Sequence, residues 1–232
     1  MLINKKLLLL VLIISLGCFS QNKNSIKQND SLVGYENLAY NNGLVYYNKY
    51  KVTSQNTSQF LENKYNLGIL QYNNQTFYDV NMKYDVFEDV LLFKSNSQLA
   101  LETSLITKQV DYFILKNKKF RKIETVSADN IVTVNAGYFE ENEINEKSTL
   151  FVKHKKIIKV DSRSEKLSHI FYDYKIYYIY YNNKLEEISS KNDIIKLFPT
   201  LKKEIKQFYK ENSNQKENNI QLFYQNLFKT II

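Results

Sequence analysis

From Gly34 to Ile188 the chain runs as short apolar and aromatic segments closed at intervals by Asn, Lys or Gly, and this rhythm restricts the fold more than any other feature. Short β-branched and aromatic runs with such punctuation are strand and turn signals. Residues 113–123, 150–160 and 178–188 share one plan: three apolar or aromatic residues, a polar turn, an apolar residue, polar residues and a closing aliphatic. Each reads as a hairpin. Residues 69–80 form a looser fourth copy, one residue longer, which a β-bulge would absorb. A further strand is expected over 43–52, after Asn41-Asn42-Gly43 with its Asn-Gly hairpin cue. The copies are unevenly spaced, so a solenoid or propeller of strict period is not supported. The expectation is a mainly β fold, an antiparallel meander arranged as a curved sheet, a sandwich or a partial barrel.

After residue 188 the period changes. Residues 189–198 can start on a Ser or Asn cap, Pro199 breaks them, and Thr200 can cap a helix with Leu201, Ile205, Phe208 and Tyr209 on one face. Ile220, Phe223 or Tyr224, Leu227 and Ile231 recur at helical spacing after a polar linker over 212–217. Two to three short helices are thus expected over 189–232, packed on the β domain of 34–188 and covering an open face or edge.

The first twenty residues read as an export signal. Asn4, Lys5 and Lys6 form a basic start, and residues 7–16 are apolar apart from Ser15, too short a run to span a bilayer. Cleavage after Ser20, leaving Gln21 first, competes with lipidation of Cys18 at an imperfect lipobox, and simple cleavage is preferred. No later segment reaches membrane-spanning length. Residues 21–33 are polar with isolated aliphatics and read as a flexible tether. Export would remove Lys5 and Lys6 and lower the net charge from +8 to +6. It would also remove the only cysteine, and with it thiol catalysis and thiolate metal sites.

Of the 32 basic residues only Arg121 and Arg163 are arginine, which disfavours nucleic-acid recognition because base and phosphate readout leans on the planar guanidinium. The stretch KYDVFEDVLL at 83–92, the YDV at 78–80 and KNDIIKLFPTLKKEIKQF at 191–208 together resemble uncharacterised secreted β-rich proteins of Bacteroidota. The signal ending Phe19-Ser20-Gln21 is similar to theirs as well. The resemblance implies location and no chemistry. Asp30-Ser31-Leu32 is similar to the acceptor pattern for O-glycosylation in that phylum, which makes Ser31 a candidate modification site.

Chemistry-bearing residues are few. His154 falls in the expected turn 153–156, among lysines that would repel a metal cation, and His169 opens an aromatic strand with Asp173 on the same face but too far along for contact. Asp79, Asp85, Glu88 and Asp89 cluster within eleven residues, yet they lack the order of a calcium loop and read as solvated turn ends. Glu140, Glu141, Glu143 and Glu146 form an acidic loop expected to pair with the lysines at 153–159. No phosphate loop, nucleophile elbow or zinc-helix motif is present. Aromatics are the best lead. Tyr172, Tyr174, Tyr178 and Tyr180 share one face of a strand whose other face carries Tyr177 and Tyr181, and exposed Tyr could stack on a sugar ring or an extended peptide.

These readings converge on an exported envelope or extracellular binding or structural protein without catalytic activity or cofactor, meeting a protein or glycan partner through Tyr172, Tyr174, Tyr178 and Tyr180. A rival is a glycan- or peptide-directed hydrolase, which would need Asp85 or Glu88 brought together with distant Tyr or His residues. A third reading is a lipid-anchored envelope component that binds a partner.

Overall fold

A computed structural model of the chain describes residues 23–52, 56–94, 102–124, 136–161 and 168–232. Ser20, Gln21 and Cys18 lie outside the described residues. The mainly β expectation holds: eleven antiparallel strands form one open sheet in the order β1-β5-β4-β3-β2-β6-β7-β8-β9-β10-β11. They are β1 (Leu44–Val45), β2 (Asn66–Tyr72), β3 (Gln75–Asp85), β4 (Val90–Lys94), β5 (Glu102–Ser104), β6 (Val110–Leu115), β7 (Lys118–Ile123), β8 (Gly137–Asn145), β9 (Ser148–Asp161), β10 (Ser168–Tyr181) and β11 (Lys184–Ile188).

Three of the four hairpins fall where the sequence places them, and their turns explain why. Asn73-Asn74, Lys116-Asn117 and Asn182-Asn183 all have both φ angles between 50° and 61°. That left-handed pair makes the type I′ turn, whose twist matches the flanking strands, and Asn tolerates it better than most side chains. The longer copy does carry a bulge. Gly68 pairs with Val80 and Ile69 with Tyr78, so Asp79 at φ 56° is the extra residue.

Residues 150–160 do not turn. They lie inside β9, which pairs over its whole length with β10, so His154 sits mid-strand and not in a turn. Lys153-His154-Lys155-Lys156 offers no Asn or Gly for left-handed backbone, whereas Asn145 organises the turn that precedes β9 by accepting from the Lys147 N–H and the Ser148 hydroxyl. The run after Gly43 also departs from expectation: only β1 is strand, and it pairs with β5. Beyond it the chain is a strap. The Tyr46 N–H donates to the Glu102 carbonyl, Val52 bridges His169 in parallel, the Phe171 N–H donates to Asn56, and Gln59 bridges Asp85. The strap thereby occupies the edge of β10 that extends past β11, leaving fewer unpaired backbone groups for intermolecular pairing.

The segment expected to be a tether is helical instead, α1 (Lys23–Val33). Its weak local pattern is supported from outside, because Lys23 and Lys27 reach the bulge carboxylate of Asp79 at 3.6 and 2.6 Å. Ser31 lies on its exposed side and Asp30 is buried. At the other end, α2 (Lys191–Leu197) starts on a capping box between Ser190 and Asp193, and Pro199 stops it. It is followed by α3 (Lys202–Glu211), α4 (Ser213–Asn218), which occupies the expected linker, and α5 (Ile220–Ile231).

The register gathers the core on one face. Phe77, Leu70, Phe113, Phe120, Glu140, Val152, Tyr177 and Ile188 oppose one another in a single row from β3 to β11, all of them buried. Around Phe77 and Phe113 this inner face carries a cluster with Tyr84, Phe93 and Tyr138. Around Val152 and Tyr177 it is capped by Ile194, Ile205, Phe223 and Leu227 from the C-terminal helices. Glu140 is the one charged residue in the row, and it stands where the two clusters meet.

Candidate functional site

Because β10 is unbroken, alternation holds along its length, and Tyr177 and Ile179 turn inward to the helices. Tyr172, Tyr174, Tyr178 and Tyr180 therefore share the outer face, as the sequence predicts. Tyr172, Tyr174 and Tyr180 are 45, 42 and 37% exposed, whereas Tyr178 is only 6% exposed. The rings of Phe139 and Phe151 take Tyr178 into a small cluster on this face, the Phe139 and Tyr178 centroids lying 5.6 Å apart. Tyr178 is thus a floor on which a ligand could rest, and not itself a free ring. From Tyr172 to Tyr180 the strip extends about 26 Å at strand rise.

The sequence did not find the rest of this face. Beside Tyr180 lies an open groove of about 370 Å³ lined by Arg121, Ile123, Glu141, Thr149, Phe151 and Leu185. Arg121 and Lys119 each hold the Glu141 carboxylate at 2.9 Å. Burial pushes the Glu141 carboxyl up, but the hydrogen bonds from Arg121 and Lys119 outweigh it and hold it below the ordinary value. Its partners come from β7 and not from the lysines of 153–159. At the far end, Ile157 opposes Tyr172 and is 51% exposed, while the Lys159 ammonium stands 5.1 Å from the centre of the Tyr172 ring. The face offers apolar rings in a line with charged groups at both ends.

The inner polar groups are engaged with one another. One Glu140 oxygen accepts from Lys118 and Gln221, both at 2.6 Å, and the other lies 2.7 Å from His154 Nε2, which donates to it. Burial raises the Glu140 carboxyl, yet the hydrogen bonds from His154 and Lys118 bring it down to about 2. Burial lowers His154 more than Glu140 raises it, so the imidazole is neutral at physiological pH. Gln221 of α5 also accepts from Lys175 at 3.1 Å, which ties helix and sheet together through this cluster. Phe60 and Phe120 close over the imidazole, with ring centroids 5.0 and 5.8 Å away.

The carboxylates of the β3–β4 turn are likewise committed. Asp85 is wholly buried and accepts from Tyr46, Ser58, Gln59 and the N–H groups of Phe87 and Glu88. Asp89 accepts from the Tyr84 hydroxyl and pairs with the buried Lys153 ammonium at 2.6 Å. Both carboxylates of the hydrolase reading meet a distant Tyr, Asp85 through Tyr46 at 2.9 Å and Glu88 through Tyr50 at 3.3 Å with Tyr50 packing 5.4 Å from His169, but of the two only Glu88 is exposed. The second carboxylate of a glycosidase pair would have to be Asp85, and that group is sealed and fully used. His169 Nδ1 faces the Lys51 carbonyl at 3.3 Å, and Asp173 pairs with Lys156. Among the described residues no three His, Cys, Asp or Glu side chains converge as a metal site would require, and no helix is long and apolar enough to cross a membrane.

Compared with protein-family models, with curated proteins and with solved structures, the chain matches none.

Proposed function

We propose that this is an exported binding protein that takes an oligosaccharide along the outer face of β7 to β11. The observation that carries the reading is the alignment of half-exposed Tyr172, Tyr174 and Tyr180 with a groove whose rim is Arg121, Glu141 and Thr149. Sugar rings stack their C–H faces on aromatic side chains and need charged or hydroxyl groups at the margin to orient them. An extended peptide would more naturally add to a free strand edge, and the exposed half of the β10 edge is already taken by the strap. The lysine-rich surface, the leader-like first twenty residues and the resemblance to secreted Bacteroidota proteins favour a place outside the cytoplasm.

The test is isothermal titration of the purified protein with glucose hexaoses of β-1,4, β-1,3 and α-1,4 linkage, alongside an array of glycans of other sugars. Saturable binding to one class is expected, weakened at least tenfold in Tyr180→Ala and in Tyr174→Ala. Binding untouched by both substitutions, or no binding to any glycan, would remove the reading.

A further inference from the structure

Helix α1 and the two short 3-10 turns that follow it line a second cavity of about 270 Å³ against β3 and β4. Two carboxylates line it, Asp30 and Asp79, together with the rings of Tyr35, Tyr40, Tyr78 and Phe93. Their circumstances are opposite. Asp79 is neutralised twice, by Lys27 at 2.6 Å and Lys23 at 3.6 Å, and its carboxyl is accordingly held low. Asp30 is 5% exposed, and among the described residues no side chain or N–H donates to its carboxylate. Lys27, one turn before it on α1, is committed to Asp79, and Lys94 lines the cavity without pairing with either acid. Lining the cavity and lacking a donor, the Asp30 carboxylate is raised above its ordinary value by burial alone.

The surrounding rings supply what an incoming cation needs. Tyr40 is held rigidly by edge contacts to Phe77 and Phe93, at centroid distances of 5.0 and 5.6 Å. Tyr78 already carries an ammonium near its face, with Lys23 Nζ 5.3 Å from its centre. Aromatic walls with one buried negative charge are the chemistry by which organic ammonium groups are held. From the cavity-lining Asp30 carboxylate, without a donor among the described residues, and the rings of Tyr35, Tyr40 and Tyr78, we infer that this cavity binds a small organic cation, a substituted ammonium group. The volume is below the roughly 300 to 1,000 Å³ of drug-sized sites, which limits the occupant to a small amine or the end of a longer one. The site is separate from the outer face of β7 to β11 and stands whether or not that face binds a glycan.

The experiment follows tyrosine ring resonances by NMR while the purified protein is titrated with tetramethylammonium chloride, propylammonium chloride and neutral tert-butyl alcohol, at ionic strength matched with sodium chloride. Saturable shifts are expected with one or both ammonium salts and none with the alcohol, and Asp30→Asn should weaken binding at least tenfold. Asp30→Asn should also melt no lower than the parent, since it removes an unmatched charge. A sharp fall in melting temperature would mean that Asp30 already has a structural partner and would overturn the inference. Tyr35→Leu, at a ring that is 45% exposed, leaves the fold intact and should weaken binding severalfold. Equal binding of the alcohol, identical shifts from sodium chloride alone, or unchanged affinity in both variants would each refute it.

Discussion

Replacing Glu140 with Gln removes the only charge in a row of buried side chains that crosses the sheet from β3 to β11. The carboxyl sits at about 2 in the folded protein against an ordinary value of 4.5, a difference worth about 3 kcal/mol to folding at neutral pH. Because Glu140 is only 2% exposed, solvent screening takes little from that figure. The sign follows from the depressed value: the contribution is complete above pH 4.5 and is lost as pH falls toward 2. Between pH 7 and pH 3 the parent should lose about 2 kcal/mol from this group alone, a loss that Glu140→Gln cannot show. The assay is urea unfolding at both pH values, read by far-ultraviolet circular dichroism. The parent should exceed the variant by about 3 kcal/mol at pH 7, a midpoint shift of roughly 1 M urea, and by only about 1 kcal/mol at pH 3. Curves that stay parallel between the two pH values would show that Lys118, His154 and Gln221 do not hold the carboxylate as the geometry indicates.

Three other outcomes follow from single positions. Gly137 has φ 144°, and a Cβ there would come within 1.9 Å of Asp89 Oδ2 and 2.3 Å of Lys153 Nζ; Gly137→Ala should break that buried ion pair and cost roughly 3 kcal/mol or more, and a melting temperature within 2 °C of the parent would contradict this. Ser190→Ala removes half of the capping box of α2 and should cost about 1 kcal/mol, measured by thermal unfolding. Asn117→Val places a β-branched residue at φ 60° in a type I′ turn and should destabilise by about 1 to 2 kcal/mol, while Asn117→Gly should be neutral or stabilising in the same assay.

The candidate site was only partly legible in the sequence. Alternation put Tyr172, Tyr174, Tyr178 and Tyr180 on one face, since that needs nothing beyond an extended backbone. Which of them would be covered depended on Phe139 and Phe151, whose strands meet β10 only through register. Arg121 and Glu141 were visible as charges but not as a pair. Glu140 and Glu141 are adjacent, yet one enters the core and the other meets the outer groove, so reading them together as an acidic loop missed both roles. Strand alternation over β8 was the available signal.

Features set within a few residues could be read directly: the Asn-containing hairpin turns, one extra residue within 69–80, a Ser or Asn cap after residue 188 and the break at Pro199. Each is a contest between local backbone conformations, and side chains close in sequence settle it. Tertiary structure decided the remainder. Helix α1 is fixed by ion pairs from Lys27 to Asp79 across 52 positions, where its own sequence reads as a tether. His154 became a core group because β9 continues through residues that the repeat pattern assigned to a turn. Glu140 acquired its partner Gln221 from 81 residues away, and Asp30 was carried into a cavity wall where no donor among the described residues meets its carboxylate. Such outcomes rest on desolvation and on contacts between distant segments, both of which come into being only when the chain has closed on itself.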